Sequence, residues 1–464
     1  MSPLKYQQTD SRNECLSVPE EPCSPKIVGI AGTFDVQNYG DLLFPQIAAA
    51  ALKRRDPDIE VIPFSVTAKS EFSWPFQVRS MKEFAASVAT LSAMLIGGGQ
   101  IVRFDRRYPV AMPANAGLPF AYWLTPAVLA ALAGKPVIWN AVGASTGWSR
   151  SAWHDELVRR VFSASYFIGV RDVMSRDGLA RMAPEANIRL LPDTAFSLSR
   201  LWPLEDESPA FRQWKASRGV TGNYIVVQAS TGVAKHKGAI QSLSELTGKN
   251  SVVILPVCWC HGDRAEKFPA MKGAVRLERD WPAPRLMAEI IGRSELVFAS
   301  SLHACITALS YGVPLVRMPS STGGKYELLD EFEGIACLGK DTQADLLRLV
   351  RRGRRIEPRV MQAADLLDRY WDEVAEIVVC PPHAQGELSR ALMMAWIATE
   401  CGDRKRLGVA RRSLEILRES LAGYFPRTRS AVRNRLASLR SKSSLGRRGA
   451  TEKSKREMGL FLNR

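Results

Sequence analysis

Long hydrophobic runs are missing from this sequence. A helix that crosses a bilayer needs about 20 apolar residues, whereas the longest apolar stretch, AYWLTPAVLAALAG, has about 14 residues and is typical of a buried helix. Residues 1–25 contain acidic residues and prolines where a secretory signal would have an apolar core. We therefore expect a soluble, cytoplasmic protein.

Cysteine patterns are also missing. Eight cysteines are scattered along 464 residues, and the only close pair is Cys258-Trp259-Cys260. This pair lacks the two-residue spacer and the second pair that are typical of zinc sites. We therefore predict reduced thiols, no metal site and no cofactor.

Acidic residues are scarce at the C-terminus. From Asp403 to the end there are 18 Lys and Arg against 5 Asp and Glu, a net charge of +13 out of +16 for the whole chain. Basic segments near an anionic bilayer gain about 1 kcal/mol per residue. We predict peripheral contact with the inner face of an anionic membrane through residues 404–456, with a solvated tail of no function as the alternative. Few aromatic residues are interleaved there, so we expect no nucleic-acid binding.

Apolar strand-like runs alternate with helical segments along most of the chain. KIVGIAGTF, IEVIPFSV, SAMLIGGGQIV and KPVIWNAVGAS belong to a first series, and NYIVVQAS, SVVILPV, ELVFASS and VPLVRMP to a second. This alternation indicates βαβ units and parallel sheets. We predict an α/β protein in which two Rossmann-like domains face each other across a cleft, with a helical extension and a basic tail. The expected divisions are a flexible leader 1–25, an N-terminal domain 26–200, a linker 201–221, a C-terminal domain 222–345, a helical extension 346–425 and a disordered tail 426–464.

The loop after the first strand, in GTFDVQNYGDLLF, is the first candidate ligand contact. Gly40 allows a ligand to approach the backbone, and Asn38 and Asp41 offer polar groups at a helix N-terminus. Helix capping is the alternative role for Asp41. The stretch is not G-x-G-x-x-G, so it gives no support to a nicotinamide dinucleotide.

Three consecutive glycines in LIGGGQIVRFD are the second candidate. Gly97, Gly98 and Gly99 follow a buried strand, and Gln100 and Arg103 come just after them. Such a run costs backbone entropy and predicts a tight turn beside a ligand, or a structural turn alone.

Charged residues follow two further strands. Arg171 and Asp172, in GVRDVMSRDGL, suggest either a guanidinium that grips a carboxylate or phosphate, or an Arg171–Asp172 salt bridge that organises the loop. Asp193, in LPDTAF, is placed to orient a base or to cap a turn.

One of only five histidines lies at a strand-to-helix corner, in ASSLHACITALSYGVPLV. His303 is expected in the first turn of a helix, where the positive end of the helix dipole favours the neutral imidazole. A neutral histidine in a cleft can accept a proton from a hydroxyl group. Ser300 and Ser301 are candidates for anion contacts or for capping. A purely structural histidine is the alternative.

These stretches occur in a familiar order. Between residues 27 and 335 the chain contains, in this order, NYGD, LIGGGQI, VRD, PDTAF, SLHACITALSYGVPLV and GKYELLDEF. Together they resemble the polysaccharide pyruvyl transferase family. The resemblance implies a GT-B-like fold and transfer of the enolpyruvyl group of phosphoenolpyruvate to a sugar of a surface polysaccharide or its lipid-linked precursor. The product is a pyruvate ketal, and phosphate is released.

The resemblance also implies roles for individual residues. His303 matches the family's active-site histidine and would do the acid–base work, while Arg171 and the loop Gly97–Gly99 would hold the donor anions. Asp41 would orient the acceptor sugar. The family motif has arginine where this chain has Ser301, so Arg171 would carry more of the donor's charge, or the missing charge would come from one of Arg103, Lys235, Lys237, Arg317 and Lys325. The alternatives are a GT-B-like glycosyltransferase that uses a nucleotide sugar, and a non-catalytic relative that binds glycan.

Overall fold

The computed structural model describes residues 26–69, 74–103, 122–144, 152–246, 251–277, 281–318 and 326–381. The leader, the basic tail, Lys325 and the part of the expected helical extension beyond residue 381 lie outside these ranges. Within the described ranges, no helix combines the length and the hydropathy needed to cross a membrane.

The strands of the described residues form two parallel sheets. They are β1 Ile27–Ala31, β2 Glu60–Ser65, β3 Arg79–Ser80, β4 Ala93–Ile96, β5 Gly99–Val102, β6 Val137–Ala144, β7 Phe167–Val170, β8 Ile188–Leu190, β9 Tyr224–Gln228, β10 Ser251–Leu255, β11 Ala274–Arg276, β12 Leu296–Ala299, β13 Leu315–Arg317 and β14 Ile335–Cys337.

Helices connect most of these strands. The α-helices of the described residues are α1 Tyr39–Lys53, α2 Met81–Ser87, α3 Leu124–Leu132, α4 Ala152–Ala164, α5 Val173–Met182, α6 Leu198–Leu201, α7 Pro209–Ser217, α8 Thr231–Ala234, α9 Lys237–Leu246, α10 Pro284–Arg293, α11 Leu302–Ser310, α12 Gln343–Arg352 and α13 Pro358–Val379.

The strand orders identify the architecture. The first sheet runs β3-β2-β1-β4-β6-β7-β8, with β5 paired to β6, and the second runs β11-β10-β9-β12-β13-β14. Counted within its own domain, the second order is 3-2-1-4-5-6, the order of a Rossmann fold. The central strands are buried apolar runs, as expected for parallel sheets covered by helices on both faces. The predicted fold class, α/β with two Rossmann-like domains, is confirmed.

The two domains share one apolar core. A single cluster of buried side chains includes Leu42 of α1, Ile291 of α10 and Ile306 of α11. Beside it, the Tyr39 hydroxyl and Thr307 Oγ1 form a buried hydrogen bond of 2.7 Å between the domains. The loops at the carboxyl ends of both sheets therefore meet along one cleft.

The segment 201–221, which we expected to be a linker, contains helix α7. Ser208 caps this helix by accepting a hydrogen bond from the backbone N–H of Phe211, and its own N–H donates to Glu289 of α10. Phe211 and Trp214 are buried. The connection between the domains is thus an ordered element that packs against the second domain.

Helix α13 returns to the first domain after the second sheet is complete. The Tyr370 hydroxyl donates a 2.9 Å hydrogen bond to Asn140 Oδ1 of β6, and Arg189 pairs with Glu373 at 2.7 Å. Of the helical extension expected over 346–425, the described part contains most of α12 and all of α13. Helix α13 therefore ties the end of the described chain to the N-terminal domain.

Candidate active site

His303 is held at the junction of β12 and α11. The strand ends at Ala299, and the backbone N–H groups of Ser300 and Ser301 both donate to Oε1 of Gln228 at 2.8 Å. The Tyr326 hydroxyl donates to the carbonyl of Ser300 at 2.7 Å. These bonds fix the turn that leads into the helix, and the His303 side chain extends from its first turn towards the other domain.

The imidazole of His303 packs directly against the N-terminal domain. A Cβ added to Gly40 would lie 1.8 Å from its Nδ1, so no side chain fits at position 40. Phe44 contacts the ring edge-on, with centroids 5.2 Å apart. On the other side, Nε2 lies 3.4 Å from Oδ2 of Asp193. Glycine at position 40 is therefore required by the histidine itself.

Asp193 links His303 to Arg171. Its Oδ2 accepts a 3.0 Å hydrogen bond from Nη1 of Arg171, and its Oδ1 accepts from the backbone N–H of Ala195. Burial raises the pKa of the Asp193 carboxyl, but His303 and Arg171 outweigh burial and lower that pKa to about 2. Asp193 is thus a buried carboxylate that both orients the histidine and caps a turn.

Arg171 forms ion pairs with two aspartates. Its Nη1 pairs with Asp193, whereas Asp172 Oδ2 lies 4.0 Å from Nε and Asp172 Oδ1 caps α5 by accepting from the N–H of Ser175. Nη2 donates to Oε1 of Gln100 at 3.0 Å. The Arg171–Asp172 salt bridge, the alternative drawn from the sequence, is thus present as a long contact, and the shorter pair is the one with Asp193.

Asp41 lies in the first turn of α1. Its Oδ2 accepts hydrogen bonds from the Thr33 hydroxyl at 2.7 Å and from the Asn38 amide at 2.8 Å. Burial raises the pKa of the Asp41 carboxyl, and the bond from Thr33 and the nearby charges of His303, His261 and Arg171 counter this only in part. Asp41 does not cap the helix; it belongs to the polar surface of the cleft.

The three glycines form a tight turn behind that surface. Gly97, Gly98 and Gly99 have φ angles of +79°, +62° and +80°, a conformation that other residues rarely adopt. A Cβ on Gly98 would lie 2.3 Å from the Phe44 ring, and one on Gly99 would lie 3.0 Å from Asp41 Oδ1. The turn packs directly against Phe44 and Asp41. Its glycines therefore lie beneath the cavity wall and do not line the cavity.

One cavity of about 420 Å³ joins most of the predicted site residues at the domain boundary. Its described wall is formed by Thr33, Asn38, Asp41, Gln100, Ile101, Arg103, Arg171, Gln228, Ser230, Thr231, Gly232, Cys258, His261, Asp263, Ser300, Ser301, Leu302, His303 and Tyr326. Of the predicted residues, Gly40 and Asp193 contact His303 from behind this wall. Lys325 lies outside the described residues.

Several wall residues were missed in the sequence. Gln228, Ser230, His261 and Asp263 follow the two strands β9 and β10 of the second domain. Their position at the ends of predicted strands could have identified them, because ligands of such folds bind at the carboxyl ends of parallel strands. Gln228 is the last residue of β9, where a polar side chain closes an apolar strand.

Comparison with known proteins identifies the family. A model of the family described as polysaccharide pyruvyl transferase matches residues 38–322. No curated protein matched this chain.

Similar solved structures are distant. The UDP-GlcNAc 2-epimerase of Methanocaldococcus jannaschii has 12% identity and a TM-score of 0.48 over 75% of this chain and 99% of its own. The Neisseria meningitidis enzyme bound to UDP-GlcNAc has 13% identity and a TM-score of 0.43 over 80% and 98%. The wall teichoic acid polymerase TagF has 10% identity and a TM-score of 0.41 over 80% and 90%. The fold assignment therefore rests on the strand orders, and the family assignment on the family model. The chain belongs to the polysaccharide pyruvyl transferase family.

Proposed function

We propose that this protein transfers the enolpyruvyl group of phosphoenolpyruvate to two hydroxyls of a sugar, forming a pyruvate ketal and releasing phosphate. The acceptor would be a sugar of an exported or surface polysaccharide, or its lipid-linked precursor. The observation that carries the proposal is an interdomain cavity whose wall includes His303, Arg171 and Arg103. No cofactor takes part in this reaction.

The cations of the wall suit an anionic donor. Phosphoenolpyruvate carries a carboxylate and a phosphate, and both are bound well by guanidinium groups. Arg171 is held by Asp193 and Gln100, and its Nη2 donates to the neutral Gln100 oxygen. A donor oxygen that replaced Gln100 there would gain a charge-assisted bond.

His303 is placed for the proton transfers. A proton is added to the methylene carbon of the donor, the first sugar oxygen attacks the neighbouring carbon, and the second sugar oxygen then displaces phosphate with the electron pair of the C–O bond. Two hydroxyl protons are lost; they balance the one gained by the methyl group and the one that leaves with phosphate. The Asp193 carboxylate, 3.4 Å from Nε2, stabilises the imidazolium that forms when His303 takes a proton.

Thermal unfolding with candidate donors tests the proposal. Phosphoenolpyruvate at about 100 times its dissociation constant should stabilise the protein by about 2.7 kcal/mol. We expect a rise in Tm with phosphoenolpyruvate and none with a panel of nucleotide sugars. Arg103→Gln and Arg171→Ala should reduce the rise. Arg176→Gln, which removes an exposed guanidinium of α5, is the matched control and should keep it.

Two results would contradict the proposal. A rise in Tm with nucleotide sugars alone would indicate a glycosyltransferase. No rise with any donor, in a preparation that unfolds cooperatively, would favour a protein that binds glycan without catalysis. His303→Ala separates binding from chemistry, since it should keep the phosphoenolpyruvate shift and lose phosphate release with acceptor.

A further inference from the structure

The loop after β10 brings three metal-binding side chains together. Cys258, Cys260 and His261 place their ligand atoms within 4.8 Å of one another, and the two Sγ atoms lie 3.3 Å apart. A search of the described residues for three or more His, Cys, Asp or Glu side chains close enough to share a metal ion gives this group. The cysteine spacing alone gave no zinc signal in the sequence; the histidine next to Cys260 supplies the third ligand.

The loop is held in this shape by its own hydrogen bonds. The Asp263 carboxylate accepts from the backbone N–H groups of Val257 and Cys258, both at 3.1 Å, and from the Gln228 amide at 3.0 Å. Gly262 has a φ of +91°, which turns the chain so that the N–H of Asp263 donates to the carbonyl of Cys258. The three ligands are therefore positioned without needing a metal to gather them.

The same loop forms part of the domain boundary. Cys258 forms a β-bridge with Asn38, and the N–H of Trp259 donates to the carbonyl of Gln37 at 3.0 Å. Cys258 and His261 also line the cavity. A metal held by the loop would lie at the cavity wall, next to the loop that carries Asn38 and Asp41.

We propose that Cys258, Cys260 and His261 bind a thiophilic divalent cation such as Zn²⁺, with water or a ligand from the cavity at the fourth position. Two thiolates bound to zinc at about 2.3 Å in a tetrahedron lie about 3.8 Å apart. The observed Sγ atoms need to separate only slightly to reach that distance. Binding releases two thiol protons, and the two thiolates then neutralise the charge of the ion.

This site does not depend on the proposed pyruvyl transfer, so it is tested by metal uptake. The full-length protein, reduced and stripped with a chelator, is titrated with Co²⁺. We expect one equivalent to bind, with a thiolate-to-cobalt charge-transfer band and the intense visible bands of tetrahedral Co²⁺. Zn²⁺ should displace it and abolish these bands.

Variants of the exposed ligands make the test specific. Cys260→Ser and His261→Asn change exposed residues, and each should weaken Co²⁺ binding by about 10-fold or more. Cys380→Ser and His236→Asn remove a thiol and an imidazole outside the cluster and should bind like the wild-type chain. The proposal is overturned if the reduced protein gives no tetrahedral spectrum, or if both ligand variants keep the wild-type affinity.

Discussion

At the scale of single residues, Gly40 shows how tightly the two domains fit. A methyl group there would lie 1.8 Å from Nδ1 of His303. Gly40→Ala should therefore displace the imidazole and lower the free energy of unfolding by about 1–3 kcal/mol, the usual cost of overpacking. We also expect the variant to lose phosphate release from phosphoenolpyruvate.

Urea unfolding measures this cost. Gly238→Ala is the control, because it lies in helix α9 with open space around it, and alanine there should be neutral or slightly stabilising. A Gly40→Ala protein with wild-type stability and activity would mean that His303 does not pack as described.

The ion pair of Asp193 makes a pH-dependent prediction. Its carboxyl has a pKa lowered from 3.8 to about 2, so its contribution to stability is present above pH 3.8 and is lost as the pH falls towards 2. Asp193→Asn should cost about 2 kcal/mol at neutral pH. The difference from wild type should shrink as the pH falls below 4.

Asp177→Asn is the control for this experiment, since Asp177 is an exposed aspartate in the same domain. It should change the unfolding free energy little at any pH. A cost at Asp193 that did not vary with pH would contradict the ion pair and indicate a packing defect.

At the residue scale, one local rule predicts which side chains the fold brings together. Asp41, Arg171 and His303 each come after an apolar strand, and the structure brings them to one cavity because parallel strands end at a common edge. The shorter pair of Arg171 with Asp193 was not predicted, because Asp172 is adjacent in sequence whereas Asp193 approaches only after β7 and β8 pair. A contact between residues that are distant in sequence cannot be predicted from the residues next to either of them.

At the scale of elements, helix α13 is the part that periodicity could not place. Its amphipathic pattern predicts a helix, but not the surface against which it packs. In the structure, its Tyr370 hydroxyl bonds to the buried Asn140 of β6 at 2.9 Å. Tyr370→Phe should leave Asn140 Oδ1 without this donor and cost about 1–3 kcal/mol.

Equilibrium unfolding checks the docking of α13. Tyr166→Phe removes the hydroxyl of a tyrosine that is 40% exposed and should be nearly neutral. If Tyr370→Phe were equally neutral, α13 would not contribute its hydroxyl to the core of the first domain.

At the scale of the whole molecule, alternation of strands and helices was enough to predict two α/β units. The pattern did not predict that one apolar core would run through both, with Leu42 of α1 and Ile306 of α11 in the same cluster. Such continuity depends on which helices pack against each other. The apolar pattern of a helix predicts that one face is buried, but not which helix covers it. The candidate active-site cavity is therefore a property of the assembled pair of domains.

The uneven charge of the chain gives the last prediction. The body of 402 residues carries about +3, while the segment from Asp403 carries +13. Because a basic residue near an anionic bilayer gains about 1 kcal/mol, the full-length protein should cosediment with vesicles that contain phosphatidylglycerol. Binding should weaken at high salt and be absent with neutral phosphatidylcholine vesicles.

A chain that ends at residue 425 lacks 12 of the 18 basic residues and should lose most of this binding. It should keep the Tm shift with phosphoenolpyruvate, because the cavity is formed by residues 33–326. Unchanged vesicle binding by the shortened chain would refute the role of the tail. Loss of both properties would instead show that the tail supports the fold. If the shortened chain loses vesicle binding but keeps the Tm shift with phosphoenolpyruvate, the tail serves membrane contact and the donor site does not need it.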